Sequence, residues 1–143
     1  ERSKYLNDLG IPLNTDSTLK GQTVFLAERC AELMNNDVIT DRTVIDVMAF
    51  TMNAKSIGRY DKERFEEYAK EFIREYDYIF YISPYGIPIE NNGVRETDEH
   101  YRDIIDFTIT TLIRRYSHIA NKIEKISGST DERIKQILKF TNL

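Results

Sequence analysis

Apolar positions recur every three or four residues through most of this chain, and β-branched or aromatic runs break that period at only a few places. Phe25, Leu26, Cys30, Leu33 and Met34 fall on one face of a helix. The pattern predicts it from Asp16 or Ser17, both good caps, to about Asn35. A helical arm over residues 2–9 precedes it, and Gly10-Ile11-Pro12-Leu13-Asn14 separates the two, because proline lacks the N–H a helix needs and glycine permits a turn. Val38-Ile39-Thr40-Asp41 is a β-branched run ending in an acid, and it reads as a strand leading into a helix that carries Val44, Ile45, Val47, Met48 and Met52. Residues 61–75 form an amphipathic helix with Phe65, Tyr68, Ala69, Phe72 and Ile73 on one face. Tyr76 to Ile82 is the strongest strand pattern, stopped by Ser83-Pro84. A glycine- and asparagine-rich loop spans Tyr85 to Gly93, followed by a long helix from about Thr97 to Asn121, a strand from Lys122 to Ile126 and a helix from Asp131 to Phe140.

Strands alternating with helices predict the α/β class, with a parallel sheet covered on both faces. Ligands of such sheets gather at the carboxyl ends of the strands. The polar residues expected there are Asp41 and Arg42, the loop from Pro84 to Arg95, and Gly128 to Thr130.

Composition narrows this picture. A chain of 143 residues with 41% hydrophobic content supports one core, so residues 1–143 are read as a single domain. Charged residues make up 31% with a net charge of −4, and the signs are mixed rather than blocked. Nucleic acid is therefore not an expected partner, since phosphate contacts need a clustered basic surface. The single cysteine, Cys30, cannot form an internal disulfide and reads as a small core residue. No apolar run approaches the roughly 20 residues of a membrane span, and Glu1-Arg2-Ser3-Lys4-Tyr5 lacks the shape of a signal peptide, so the expectation is a cytoplasmic protein with no membrane partner. The chain begins with Glu1 rather than methionine, which suggests a fragment or a trimmed start.

Three constellations can carry chemistry. Asp41-Arg42 after a strand can hold a magnesium ion beside phosphates and grip a phosphate; equally, Asp41 can cap the next helix while Arg42 pairs with Asp46. Arg95 and Arg102 can neutralise charge that develops in phosphoryl transfer, or can be surface arginines paired with Glu96, Asp98 and Asp103. Ser127-Gly128-Ser129-Thr130 with Arg133 can pack against a base, or can be a routine helix start with Ser129 or Thr130 as cap and Glu132 nearby. His100 and His118 have no partner at metal-ligand spacing, and the nine tyrosines fall mostly on apolar stripes that suit a core.

Taken in order, Glu1-Arg2-Ser3-Lys4-Tyr5, Gly10 to Asn14, Gln22, Val38 to Asp46 with its Asp41-Arg42-Thr43, Asn92-Gly93-Val94-Arg95, Tyr101-Arg102, and Ile126-Ser127-Gly128 with Arg133 resemble the ribosylnicotinamide-kinase-like P-loop ATPases of bacteria and phages. The resemblance covers nearly the whole chain. It implies a P-loop kinase-like parallel sheet flanked by helices, a lid-like region near residues 85–103, and transfer of the γ-phosphoryl group of ATP, with Mg2+, to a nucleoside, nucleotide or related small acceptor. Under it Asp41 is the magnesium-side acid and Arg95 and Arg102 are lid arginines. Glu1, Lys4, Gln22 and Arg42 lie toward the acceptor, and Gly128, Ser129 and Arg133 toward the nucleotide. Lys4 stands where such proteins usually carry arginine, which counts against bidentate phosphate binding there.

One part of that family pattern is missing. No Gly-x-x-x-x-Gly-Lys-Ser/Thr occurs, and Gly21 and Gly128 lack the glycine and lysine that should follow. The resemblance therefore implies a domain lacking its first strand and phosphate-binding loop, and inactive as this chain alone. The absent strand belongs between residues 38–41 and 78–82. The expected remedies are about 30 further residues, a strand from a partner protein, or a sheet closed differently. The alternative to a phosphotransferase is a non-catalytic nucleotide-binding or protein-interaction domain.

Overall fold

The computed structural model describes residues 8–88 and 98–143. Most of the expected arm over residues 2–9 lies outside them, as do Glu1, Lys4 and Arg95. After a short 3-10 turn at Asn14–Asp16, the described chain forms α1 (Leu19–Glu32), α2 (Val44–Met52), α3 (Arg59–Ala69), a further 3-10 segment Lys70–Glu75, β1 (Ile79–Ile82), α4 (Glu99–Tyr116), β2 (Ile123–Ile126) and α5 (Thr130–Thr141). The fold is mixed α/β.

The core is organised around α2. Its sequence is apolar on every side, and a helix apolar all round must be enclosed. Accordingly α1, α3 and α4 all pack against it, and Val44, Ile45, Met48, Ala49 and Thr51 are fully enclosed. Burying a side chain the size of Ile45 or Met48 contributes about 1.5–3 kcal/mol. Two polar side chains knit this interior. Gln22 of α1 donates through Nε2 to the Val47 carbonyl at 3.3 Å and to Thr51 Oγ1 at 3.0 Å, and the Thr51 hydroxyl donates back to the Val47 carbonyl at 2.8 Å.

Strands β1 and β2 pair in parallel, with Ile79 opposite Ile123 and Ile82 opposite Ile126. Alternate residues of a strand face opposite sides. Ile79 and Tyr81 face α4: Ile79 joins the core and the Tyr81 hydroxyl donates to Asp106 Oδ1 at 2.6 Å. Phe80 faces the other way, with its ring 6.3 Å from that of Phe140 on α5. The sheet thus carries a helix on each face. The two layers differ in depth, for none of the residues of α5 is buried whereas Tyr101, Ile105, Leu112 and Tyr116 of α4 are.

Several expectations are corrected. Residues Val38 to Asp41 form no strand: Ile39 is 96% exposed, and Asp37 and Arg42 on either side adopt positive φ, so the β-branched run is bounded at both ends and has no partner strand among the described residues. Consequently the gap expected between two strands has a strand, β1, on one side only. The first long helix is capped by Thr18, whose Oγ1 accepts from Gly21 N–H at 3.1 Å, not by Asp16 or Ser17. Ser17 is buried with its carbonyl accepting from Ser56 Oγ at 2.6 Å, which ties the 3-10 turn to the far end of α2. The helix expected over residues 61–75 tightens to 3-10 geometry after Ala69. Of the tyrosines, Tyr76, Tyr101 and Tyr116 are buried, while Tyr60, Tyr68 and Tyr85 are exposed and not core. No helix among the described residues is long and apolar enough to cross a membrane.

Candidate functional site

The turn from Asp41 to Val44 is where side chains from α1 and from the approach to β1 meet the start of α2. Thr43 caps α2: its Oγ1 accepts from Ile45 N–H at 3.1 Å, and Asp46 Oδ2 accepts from Thr43 N–H at 2.7 Å, a reciprocal box that satisfies amides the first helical turn leaves open. The next amide, Val44 N–H, donates to the Tyr76 hydroxyl at 3.2 Å. The preceding carbonyl, that of Asp41, accepts from Arg29 Nη1 at 2.9 Å. Burial pushes the Tyr76 phenol well above its ordinary range, despite the opposing hydrogen bond from Val44 and the positive charge of Arg29. Tyr76 therefore serves this turn as a neutral hydroxyl.

Within that frame Arg42 sits at φ 83°, in the left-handed region that disfavours a residue with Cβ. Its guanidinium lies over the Phe50 ring, 5.4 Å from the centroid. Nη1 of that guanidinium is buried and has no hydrogen-bond partner among the described residues. The expected alternative, an Arg42–Asp46 pair, is replaced by the box, since Asp46 is taken up by Thr43. The cap is Thr43 and not Asp41, whose side chain stands at an exposed position.

Phe50 continues the path. Its ring lies 6.4 Å from that of Tyr101 in the first turns of α4. The neighbouring Arg102 donates through Nη1 to the carbonyl of Ile87 at 3.3 Å, in the segment that follows the carboxyl end of β1, and its Nε is 3.8 Å from Asp103 Oδ1. Arg42 and Arg102 are thereby connected through the tilted rings of Phe50 and Tyr101, and Arg102 in turn contacts the segment after β1. Of the proposed arginine pair, Arg95 lies outside the described residues.

The third constellation is at the carboxyl end of β2 and closes on itself. Gly128 adopts φ 96°, and Glu132 Oε2 accepts from Ser129 N–H at 2.7 Å while Ser129 Oγ accepts from Glu132 N–H at 3.3 Å. That amide holds the Glu132 carboxyl below the usual carboxylate range, with the Ser129 hydroxyl adding to the effect. Arg133 turns back on the same cap, donating from Nε to the Ser129 carbonyl at 3.4 Å and from Nη2 to Thr130 Oγ1 at 3.2 Å. Gln22, expected toward an acceptor, instead has its amide donors engaged between α1 and α2.

Two residues that frame the site escaped the reading of the sequence, Arg29 and Tyr76. Arg29 had a legible signal, because Gln22, Phe25, Leu26 and Arg29 follow helical spacing on one buried face of α1. A charge on a buried face calls for a partner. Tyr81 had the weaker signal of a strand tyrosine, and burial, reinforced by the carboxylate of Asp106, pushes its phenol up to about 12. No protein-family model, curated protein or solved structure matches this chain.

Proposed function

We propose that this chain is the acceptor-side part of a P-loop kinase-like phosphotransferase, acting on a nucleoside, nucleotide or related small molecule. The observation that carries the reading is the aromatic path from Arg42 through Phe50 to Tyr101 and Arg102. It connects two arginines of the resemblance that are far apart in sequence. A guanidinium held over a ring with a dry, unpaired nitrogen is suited to an anionic group arriving from solution. Arg42 would bind that group on the acceptor, and Arg102 would offset charge from the β1 side.

The donor set fits magnesium in a limited sense. Among the described residues no group of three or more His, Cys, Asp or Glu side chains could hold a metal ion. Magnesium needs only one or two carboxylates and takes its remaining ligands from phosphates and water, so Asp41 alone would suffice as the protein ligand. Bound there, the ion would offset phosphate charge. The fit to ATP is poorer. No phosphate-binding loop is present in these 143 residues, so the proposal assigns the phosphate cradle to polypeptide outside them.

A specific observation favours the second reading in its protein-interaction form, rather than as a non-catalytic nucleotide-binding domain. The Gly128–Arg133 turn, assigned to the nucleotide, has its leading amide occupied by Glu132. The test is a titration of the labelled protein with a panel of nucleosides and nucleoside monophosphates, followed by amide NMR shifts. Saturable shifts at Arg42, Phe50 and Arg102 that disappear in Arg42→Ala are expected. Silence across the whole panel overturns the phosphotransfer reading in favour of the second.

A further inference from the structure

Arg29 is the most deeply buried charged residue of the described chain, with 5% exposure, and the proposed chemistry makes no use of it. Its charge is met on its own helix by Glu32, 2.8 Å away, and Glu28, 3.6 Å away. These two carboxylates neutralise it without any help from the loop, so the bond to Asp41 is not required to balance a buried charge.

What that bond does follows from the geometry of the peptide unit. The carbonyl of Asp41 and the N–H of Arg42 belong to one rigid plane. Fixing the direction of the carbonyl fixes the rotation of that plane, and with it φ of Arg42. The following plane is held by Asp46 at the Thr43 N–H, and the one after it by Tyr76 at the Val44 N–H. Three consecutive planes are thus each pinned by a different side chain. Among the described residues, the Arg29 bond is the side-chain contact that acts on the plane preceding the unfavourable φ of 83°. Without it, the plane before Arg42 loses its restraint from α1, and the turn is expected to relax toward negative φ and carry the Arg42 side chain away from Phe50.

Resting on the acceptor-side reading above, we infer that Arg29 is a positioning residue for Arg42. Through the Asp41 carbonyl it holds the turn in the left-handed conformation that presents the Arg42 guanidinium, over Phe50, to an anionic ligand. It touches no ligand itself. The arrangement is a preorganised one, in which a strained backbone is over-determined by its surroundings.

The test compares Arg29→Met, which keeps an unbranched apolar stem and removes every donor, with Arg29→Lys, which keeps the charge and one donor group. The first readout is the set of Arg42 Cα, Cβ and carbonyl NMR shifts, with Gln22 and Thr51 as reporters of the α1–α2 interior. The second is affinity for inorganic pyrophosphate. In Arg29→Met the Arg42 shifts are expected to leave the left-handed range while Gln22 and Thr51 stay in place. Pyrophosphate binding should weaken by roughly tenfold, the scale of one charge-assisted hydrogen bond. Arg42→Ala should weaken it similarly, and the double variant no further, while Arg29→Lys recovers part of both signals. Left-handed Arg42 shifts retained in Arg29→Met overturn the inference, as do additive losses in the double variant. If Arg29→Met does not fold, Arg29→Gln, whose shorter side chain withdraws the donor from the Asp41 carbonyl, is judged by the same shifts, and unchanged Arg42 shifts together with full affinity count against the role. A wild-type protein that ignores pyrophosphate sinks the acceptor-side reading alone, and the chemical-shift arm still decides whether Arg29 sets the turn.

Discussion

The turn that enters α2 and the turn that enters α5 share a local plan: a residue at positive φ, a hydroxyl cap, and an acid three positions beyond the cap that closes the box. Their surroundings are opposite. At the α5 turn the positive-φ residue is Gly128, which adopts that conformation at little cost, and every residue from Ser127 to Glu132 is exposed. At the α2 turn the positive-φ residue is Arg42, and the buried side chains of Arg29 and Tyr76 reach in from α1 and from the approach to β1. One turn is stable by its local chemistry. The other holds a conformation its own sequence disfavours, which is the usual mark of a place where geometry serves function.

The largest effect that separates the two turns is expected from their outside supports. Tyr76→Phe leaves the buried Val44 N–H without its acceptor and should cost about 1–3 kcal/mol. Gln136, which both accepts from Ser127 N–H and donates to its carbonyl, supports the α5 turn in water, so Gln136→Ala should cost no more than about 0.5 kcal/mol. Urea denaturation of the two variants measures both values, and equal costs would dissolve the contrast. A smaller effect is expected from exchanging backbone freedom. Arg42→Gly should be more stable than Arg42→Ala by about 1 kcal/mol, and Gly128→Ala should lose a similar amount. At position 128 an added Cβ would also crowd the Glu132 carboxylate, whose retreat would loosen its bond to the Ser129 amide. An alanine at position 42 that matches glycine in thermal denaturation would show that the turn relaxes freely.

The smallest effect concerns pH. The folded state holds the Glu132 carboxyl below its ordinary range, so its contribution is present above the unfolded value and disappears as pH falls through the folded one. Acidification across that window should loosen the start of α5 slightly before the rest of the chain. Amide shifts of Ser129 and Glu132 that titrate together would show this, and a Ser129 amide that ignores pH would disprove it.

The α5 turn was legible in the sequence because its design is local: Ser129, Glu132 and the apolar period after them contain all that is needed. The same holds for α2, α4 and the strands β1 and β2 taken singly, whose patterns are strong, whereas the pairing of the two strands is not stated by either pattern. The α2 turn was legible only in its identity as a possible site. Its conformation depends on Arg29 and Tyr76, and no local pattern states that a carbonyl at Asp41 needs a donor from α1. Val38 to Asp41 failed for a related reason. A β-branched run specifies a strand only where another strand is there to pair with it, and Ile39 faces solvent instead. Gln22 was placed by resemblance toward a ligand, whereas its position on the buried face of α1 already suited a core amide.

The parallel pairing of β1 with β2 has a consequence for how the chain acquires its shape. Ile79 meets Ile123 only after α4 has formed between them, so the closure entropy of that long excursion falls before any strand hydrogen bond is made. Helices α1 and α3 can pack on α2 as neighbours in the chain, whereas α4 reaches it from far along the sequence, as the Asn53–Thr108 hydrogen bond shows. The sheet, and with it the strand ends where α5 and the segment after β1 are anchored, is then expected to condense together with the docking of α4 on α2 and after α1, α2 and α3 have met.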